Sequence, residues 1–229
     1  MAVIDLTTDS SIFGTAEDDV VLGSERGNFF MAGGGNDIIF GRGGDDTIFG
    51  GSFNGGSGDD IIFGEGGNDT LVGEYGNDIL DGGAGNDTLS GDGPTNPGGP
   101  GGFSRGGGEI DILTGGAGKD TFRLEGGSIH PGTGPSYRFL GDRDYALITD
   151  FNLREDTIRL ATIDTPSGST QAGVAVEYSL GASPDGLPPG TAIFVNNLGA
   201  TPDVIGILLG VQPNSVSLSA PYFQFVSDY

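Results

Sequence analysis

The sequence predicts an all-β protein, a right-handed parallel β-roll of nine-residue repeats with an all-β C-terminal cap. Three observations predict this fold. Glycine supplies 47 of the 229 residues, and acidic residues outnumber basic ones by 32 to 9. A nine-residue pattern of glycine, aspartate and apolar residues recurs ten times between residues 14 and 123. Glycine at this density opposes helix formation, since each internal glycine costs a helix about 1 kcal/mol relative to alanine.

The composition excludes several classes of function. Without cysteine the chain has no disulfide framework, thiolate zinc site or cysteine nucleophile, and its only histidine, His130, rules out a two-histidine metal motif. The net charge of −23 argues against binding to a phosphate backbone, which requires clustered Lys and Arg. No run of 18 apolar residues is present, and residues 1–11 lack a basic and then apolar leader. We therefore expect neither a membrane span nor an N-terminal signal peptide.

The ten units fall into one register, whose positions we number one to nine. They begin at residues 14, 23, 32, 41, 55, 64, 73, 82, 106 and 115, with insertions at 50–54 and 91–105. Position six is aspartate in nine units and Asn28 in the other. Position eight is always apolar: Val21, Phe30, Ile39, Ile48, Ile62, Leu71, Leu80, Leu89, Leu113 and Phe122. Two columns this regular indicate a structural repeat.

Each unit predicts one turn and one short strand. The first six residues are rich in glycine, which adopts positive φ at little steric cost, and the last three favour a strand with one side chain pointing inward. Alternating turns and strands wind into a coil in which two units complete a lap of about 18 residues. Units n and n+2 then stack at the interstrand spacing of about 4.8 Å.

This stacking aligns the position-six residues in two columns, one on each edge of the roll. The columns are Asp19, Asp37, Asp60, Asp78 and Asp111, and Asn28, Asp46, Asp69, Asp87 and Asp120. Two carboxylates about 5 Å apart repel by roughly 1 kcal/mol in water and about 3 kcal/mol at an effective dielectric constant of 20. A cation between stacked turns removes this repulsion. Calcium suits an all-oxygen site of flexible geometry, whereas magnesium demands a tighter octahedron and zinc favours His or Cys.

The units GGSGDDIIF, GGAGNDTLS and GGAGKDTFR resemble the GGxGxDxUx repeat of RTX, or haemolysin-type, calcium-binding proteins. The resemblance implies that each ion is held by two turns of one edge. One turn supplies the carbonyl groups of positions two and four and its aspartate, and the turn two units later supplies positions one and three and its own aspartate. The implied metal-binding residues are Asp19, Gly33, Gly35, Asp37, Gly41, Gly43, Gly44, Asp46, Gly55, Gly56, Ser57, Gly58, Asp60, Gly64, Gly66, Gly67, Asp69, Gly73, Tyr75, Gly76, Asp78, Gly82, Gly83, Ala84, Gly85, Asp87, Asp111, Gly115, Ala117 and Asp120.

Some units depart from the repeat. The first two lack its glycine pattern, so we expect residues 1–13 to form a lead-in strand and these two units to cap the N-terminal end with weak or absent sites. The unit at 106 carries Glu109 and Ile110 where glycine and a polar residue are typical. We therefore expect about four to seven calcium ions rather than one in every gap.

Beyond Arg123 the repeat stops, and residues 124–229 predict the cap. Strands are expected at 146–151, 157–160, 174–180, 191–195, 204–209 and 222–226. The stretch 148–158 (ITDFNLREDTI) resembles the segment that follows the repeats in serralysin-type C-terminal domains, and 187–194 (LPPGTAIF) is similar to the ends of secreted cyanobacterial RTX proteins. This resemblance implies export through a type I secretion channel, directed by an uncleaved signal at 222–229.

The sequence thus predicts a secreted calcium-binding protein, extracellular or on the cell surface, whose folding depends on the metal. We expect no enzyme activity, because no catalytic motif accompanies His130 and the adjacent acids Asp45-Asp46 and Asp59-Asp60 fit the repeat. The alternatives are a calcium-dependent adhesion or polysaccharide-binding module and the non-catalytic part of an exported hydrolase. Ice binding is disfavoured on the expectation that the position-seven threonines (Thr47, Thr70, Thr88, Thr121) form no continuous array.

Overall fold

The structure is a computed structural model, and it describes residues 3–5, 11–52, 56–92, 109–124, 145–161, 163–164, 174–196 and 202–226. Short strands dominate this part of the chain. The strands are β1 Val3–Asp5, β2 Ser11–Phe13, β3 Val20–Leu22, β4 Phe29–Met31, β5 Ile38–Phe40, β6 Thr47–Phe49, β7 Ile61–Phe63, β8 Thr70–Glu74, β9 Ile79–Ala84, β10 Thr88–Asp92, β11 Ile110–Ala117, β12 Thr121–Arg123, β13 Tyr145–Ile148, β14 Thr157–Ala161, β15 Ile163–Asp164, β16 Val174–Ala175, β17 Glu177–Ala182, β18 Gly190–Asn196, β19 Asp203–Leu209 and β20 Phe223–Val226.

Alternate strands form two separate sheets, which confirms the predicted parallel β-roll. A ten-stranded sheet runs β1-β3-β5-β7-β9-β11-β13-β19-β18-β17, and an eight-stranded sheet runs β2-β4-β6-β8-β10-β12-β14-β20. Within the repeats every pair is parallel and in unit register: Ile39 pairs with Val21 on one side and Ile62 on the other. Units n and n+2 are therefore neighbours, and each edge of the roll is a stack of turns.

The core lies between the two sheets and is built from the position-eight side chains. All ten of these side chains are completely buried. The same hydrophobic cluster continues past Arg123 into the cap, through Ile158, Ile205 and Phe223. Each short strand therefore contributes one inward side chain per unit, as the period of the pattern predicts.

The cap continues the roll before it changes topology. Strands β13 and β14 add one more parallel strand to each sheet. Strands β17, β18 and β19 then form an antiparallel meander, and β20 completes the smaller sheet. Both sheets and the hydrophobic core thus continue beyond residue 123, where the nine-residue repeat ends. No described helix is long and apolar enough to cross a bilayer.

The outer face of the eight-stranded sheet carries a continuous threonine row. Thr47, Thr70, Thr88, Thr121 and Thr157 pair in register across five consecutive strands. The expectation of no continuous array is wrong, because all the position-seven threonines lie in alternate units, and alternate units stack. Each side chain is half-buried between its neighbours.

Many of the turns have left-handed backbone at positions two and four. Position four has positive φ in six turns and is glycine in each of them: Gly35, Gly44, Gly67, Gly76, Gly85 and Gly118. Position two holds a non-glycine residue with positive φ in three turns: Arg42, Glu65 and Glu74, with φ of +74°, +68° and +78°. An L-residue pays roughly 1–2 kcal/mol in this region. These three turns are therefore strained relative to those with glycine at position two.

We expect the substitution Glu65→Gly to stabilise the folded protein by about 1 kcal/mol, because it removes the left-handed strain at an exposed residue. The greater entropy of glycine in the unfolded chain offsets part of this gain. Denaturant unfolding in calcium measures the change. The matched control, Glu65→Gln, removes the same charge and keeps the strain. Equal stabilisation by both variants would attribute the effect to charge and contradict the prediction.

Candidate metal centre

The position-six aspartates form a hydrogen-bonded ladder along each edge. In each case Oδ1 accepts the main-chain N–H of the position-six residue two units earlier, at 2.7–3.1 Å. The accepting carboxylates belong to Asp37, Asp46, Asp60, Asp69, Asp78, Asp87, Asp111, Asp120 and Asp156. All of these side chains are buried, with at most 5% of their surface exposed. One oxygen of each carboxylate is thus used to stack the turns.

The second carboxylate oxygen, Oδ2, does not take part in this ladder. Oδ2 is buried without a hydrogen-bond partner in five aspartates: Asp37, Asp46, Asp69, Asp78 and Asp87. A buried polar atom without a partner costs about 1–3 kcal/mol, and more when it is charged. Five such atoms in two regular columns indicate that these oxygens have a ligand outside the polypeptide.

Three of these oxygens, those of Asp46, Asp69 and Asp87, face a main-chain carbonyl of the next turn across a position-one glycine. A Cβ on Gly41 would overlap Asp46 Oδ2 and would lie 2.8 Å from the carbonyl oxygen of Gly64. The same arrangement recurs at Gly64 and Gly82, where the facing carbonyl oxygens would lie 2.6 Å from the added Cβ. Glycine at position one therefore keeps open a gap lined by a carboxylate oxygen and a carbonyl oxygen.

The structure places the predicted ligand residues that it describes in the stacked turns of the two edges. On the even-unit edge the stacked turns contain Gly41, Gly43, Gly44, Asp46, Gly64, Gly66, Gly67, Asp69, Gly82, Gly83, Ala84, Gly85, Asp87, Gly115, Ala117 and Asp120. On the odd-unit edge they contain Asp19, Gly33, Gly35, Asp37, Gly56, Ser57, Gly58, Asp60, Gly73, Tyr75, Gly76, Asp78 and Asp111. The adjacent acids Asp45 and Asp46 are exposed and buried respectively, so they point to opposite sides and form no catalytic pair.

The position-one residue of the fifth unit is Gly50, and this corrects the predicted register. Gly50 donates its N–H to the Val72 carbonyl at 2.8 Å, as Gly41 does to the Phe63 carbonyl at 2.8 Å. A Cβ on Gly50 would overlap Asp60 Oδ2 and lie 2.7 Å from the Gly73 carbonyl oxygen. The insertion thus follows position one instead of preceding it. Gly55, predicted for this position, lies outside the described residues, as does His130.

The first turn of each column is closed by hydrogen bonds of its own. Asp19 Oδ2 accepts the Thr15 N–H at 3.0 Å and the Thr15 hydroxyl at 2.8 Å. Asn28 Oδ1 likewise accepts the N–H and hydroxyl of Ser24, at 2.9 and 3.2 Å. In these turns a local side chain satisfies the oxygen that has no partner in the interior turns.

Sequence reasoning missed two aspartates that end the even-unit column, Asp150 and Asp156. Asp156 Oδ1 continues the ladder from Asp120, and its Oδ2 accepts the Asn152 N–H at 2.7 Å. Asp150 accepts the N–H groups of Gly115 and Gly116 at 3.0 and 2.8 Å. The signal was present, since Asp156-Thr157-Ile158 repeats the Asp46-Thr47-Ile48 pattern of positions six to eight.

Burial raises the pKa of eight carboxyl groups in the two columns. It is the largest cause in each of them, opposed by the main-chain N–H that Oδ1 accepts and reinforced by neighbouring carboxylates. The pKa rises to about 7 for Asp46 and Asp60 and to about 6 for Asp37, Asp87 and Asp120. The pKa values of Asp69, Asp78 and Asp156 are also raised by burial. At neutral pH the carboxyl groups of the metal-free roll are therefore ionised less completely than ordinary aspartates.

Comparison with known families agrees with this geometry. A family model described as RTX calcium-binding nonapeptide repeat (4 copies) matches residues 22–55, 54–89 and 103–128. Residues 22–89 and 103–128 are thus RTX-type calcium-binding repeats. RTX repeats bind Ca²⁺, and the matched stretches coincide with the stacked turns and leave the cap after residue 128 unmatched. A search of curated proteins found no match.

The donor set of this RTX roll fits calcium. The oxygen atoms that line each gap are carboxylate and main-chain carbonyl oxygens, the hard ligands that Ca²⁺ prefers. Among the described residues no three acidic or histidine side chains converge as a metal-ligand cluster. An ion in a gap must therefore take most of its ligands from the glycine-rich main chain. When bound, the ion would neutralise the negative charge of the buried carboxylates.

The raised pKa values predict opposite effects of acid on the metal-free and calcium-loaded protein. Protonation stabilises the metal-free roll: this contribution is fully present below the ordinary pKa of 3.8 and is lost as the pH rises through about 6 to 7. In EGTA, circular dichroism should show more β-structure at about pH 5 than at about pH 7.5. In a calcium titration, the calcium concentration needed for folding should be higher at about pH 5 than at about pH 7.5, because protons compete with calcium for the carboxylates. A metal-free spectrum independent of pH would contradict the prediction.

Proposed function

We propose that the protein is a secreted, non-catalytic module that folds when calcium enters the gaps between stacked turns outside the cell. The observation that carries this proposal is the set of five buried Oδ2 atoms without partners, three of which, in Asp46, Asp69 and Asp87, face a main-chain carbonyl of the next turn. A ligand other than a cation would leave these carboxylates uncompensated. The RTX repeats themselves are structural, and their acids serve stacking and metal binding.

We place one ion in each of six gaps. The flanking aspartates are Asp37 and Asp60, Asp60 and Asp78, and Asp78 and Asp111 on the odd-unit edge, and Asp46 and Asp69, Asp69 and Asp87, and Asp87 and Asp120 on the even-unit edge. The gap between Asp19 and Asp37 is left without an ion, because Thr15 already satisfies Asp19 Oδ2. The carbonyl groups of positions one to four complete each set, as the family resemblance implies.

The energetics favour folding outside the cell. Extracellular modules bind calcium with dissociation constants of about 10⁻⁴ to 10⁻³ M. At calcium one hundred times the dissociation constant, each independent site adds about 2.7 kcal/mol to the free energy of unfolding, and at cytosolic calcium it adds almost nothing. Six sites would thus convert a chain that is unfolded during type I export into a stable extracellular fold. This dependence of folding on extracellular calcium supports an extracellular or cell-surface location.

Asp69 is the sharpest test, because it borders two gaps. We expect Asp69→Asn to bind up to two fewer ions and to require more calcium to fold, since it removes a charged ligand from both gaps. Equilibrium dialysis counts the ions, and circular dichroism in EGTA followed by calcium titration measures folding.

The matched control is Asp45→Asn, which removes the same charge from an exposed position that borders no gap. It should keep the full ion count. A wild-type protein whose β-structure at neutral pH is unaffected by EGTA would refute calcium-driven folding.

A second candidate function concerns the threonine row of the eight-stranded sheet. Five stiff β-branched side chains present a methyl and a hydroxyl group at a regular interstrand pitch. Such a row suits a ligand whose hydroxyl groups or water molecules also repeat regularly, either an extracellular polysaccharide, which would make the protein an adhesion module, or the surface of ice.

We expect the calcium-loaded protein to bind through this row and Thr70→Lys to lose the binding without losing calcium, because the lysine interrupts the row at its second rung. Glycan-array binding identifies a polysaccharide, and thermal hysteresis of freezing identifies ice. Wild-type protein inactive in both assays would eliminate this second function and leave the calcium proposal intact.

A further inference from the structure

The position-five residues form a second hydrogen-bonded ladder on each edge. Here Oδ1 accepts the main-chain N–H of the position-five residue two units later, at 2.8–3.0 Å. One ladder runs through Asp18, Asn36, Asp59, Asn77 and Ile110, and the other through Asp45, Asn68, Asn86 and Lys119. Unlike the position-six aspartates, the accepting side chains are all exposed to solvent. The nine-residue pattern alone gave no reason to expect bonds at this position.

The two ladders have opposite polarity. At position six the carboxylate of the later turn accepts an N–H of the earlier turn, whereas at position five the side chain of the earlier turn accepts an N–H of the later one. Two consecutive residues of each interior turn are therefore tied to the turns on both sides. Asn68 N, for example, bonds back to Asp45 at 2.8 Å, while Asp69 N bonds forward to Asp87 at 2.8 Å.

The ends of the second ladder follow its polarity. Its last residues, Ile110 and Lys119, only donate an N–H and need no acceptor, which explains why a non-acceptor side chain is tolerated there. On the even-unit edge the ladder begins at Asp45, because the preceding unit has Gly27 at position five and no side chain to accept. Residues other than Asp or Asn thus occupy position five only at the ends of the ladders: Ile110 and Lys119 follow the last acceptor, and Gly27 precedes the first one on the even-unit edge.

We propose that the position-five ladder positions each turn against its neighbour independently of the metal, and so makes calcium uptake along each edge cooperative. This inference rests on the proposed calcium-driven folding. A turn ordered by one ion presents a fixed Oδ1 to the N–H of the next turn, which reduces the ordering cost of the next site. The position-six ladder cannot be tested separately, because its carboxylates also border the gaps. The position-five side chains are exposed and can be removed alone.

The test compares two neutral replacements of Asp45. Asp45 Oδ1 accepts both the main-chain and the side-chain N–H of Asn68, at 2.8 and 3.1 Å. Asp45→Asn removes the charge and keeps an Oδ1 acceptor, as at Asn68, which bonds Asn86 at 2.9 and 3.0 Å. Asp45→Ala removes the charge and the acceptor. The pair therefore isolates the hydrogen bonds from the charge.

We expect the alanine variant to have a lower Hill coefficient in the calcium titration, a melting temperature about 2 to 4 °C below that of the asparagine variant, and faster hydrogen exchange at the Asn68 amide. Its bound-ion count should be unchanged. Asp59, which bonds Asn77 at the same two distances of 2.8 and 3.1 Å, supplies an independent repeat on the other edge.

Equal Hill coefficients and melting temperatures for the asparagine and alanine variants at both sites would overturn the ladder proposal, even if calcium still drives folding. Failure of the proposed function has a different signature. In that case the wild-type protein itself would fold without calcium, and neither substitution would alter a calcium titration.

Discussion

The structure depends on stacking like charges at the interstrand distance. Two units per lap bring every second aspartate into register, and the position-six carboxylates are buried where they stack. Hydrogen bonds to the main chain solve half of this problem, because one oxygen of each carboxylate accepts the N–H of the preceding turn. The other oxygen has no partner in the polypeptide in five of them, Asp37, Asp46, Asp69, Asp78 and Asp87. Calcium, which accepts many oxygens at flexible geometry, suits this constraint, and the proposed metal-driven folding rests on it.

The ends of the roll show how the same geometry is managed without metal. Thr15 and Ser24 supply the missing donors in the first turns, and Asn152 does so in the last turn of the even-unit column. Asp150 also accepts the two N–H groups of Gly115 and Gly116, which face no further repeat. A stack of repeats needs such terminal turns, because an end turn has a neighbour on one side only. Along the even-unit column the side-chain oxygens of Asn28 and Asp156 are thus hydrogen-bonded within their own turns, and Oδ2 of Asp46, Asp69 and Asp87 between them has no partner in the polypeptide.

Glycine placement follows from crowding between turns as much as from backbone conformation. At position one an added side chain would fill the space between a carboxylate and a carbonyl oxygen. Where position four has positive φ it is always glycine, whereas position two tolerates Arg42, Glu65 and Glu74 in strained backbone. The outer faces of the two sheets are not subject to these steric and backbone limits, so the residues on them can differ between the sheets. The eight-stranded sheet has a threonine row, while the other sheet carries apolar residues such as the stacked pair Phe40 and Phe63, with ring centroids 5.2 Å apart.

The sequence by itself determined the all-β class, the inward column from Val21 to Phe122 and the two columns of aspartates, because strict periodicity leaves one arrangement that buries the apolar residues. The tertiary structure decided the features that depend on which strands become neighbours. Gly50 occupies position one because the strand before it ends in register with its partner, and Asp156 joins the column because β14 continues the sheet. The threonine row and the polarity of the two ladders also became apparent only once the stacking of the units was known. The hydrogen bonds of the ladders join residues 18 to 36 positions apart, and a nine-residue pattern read locally does not specify which oxygen accepts which N–H.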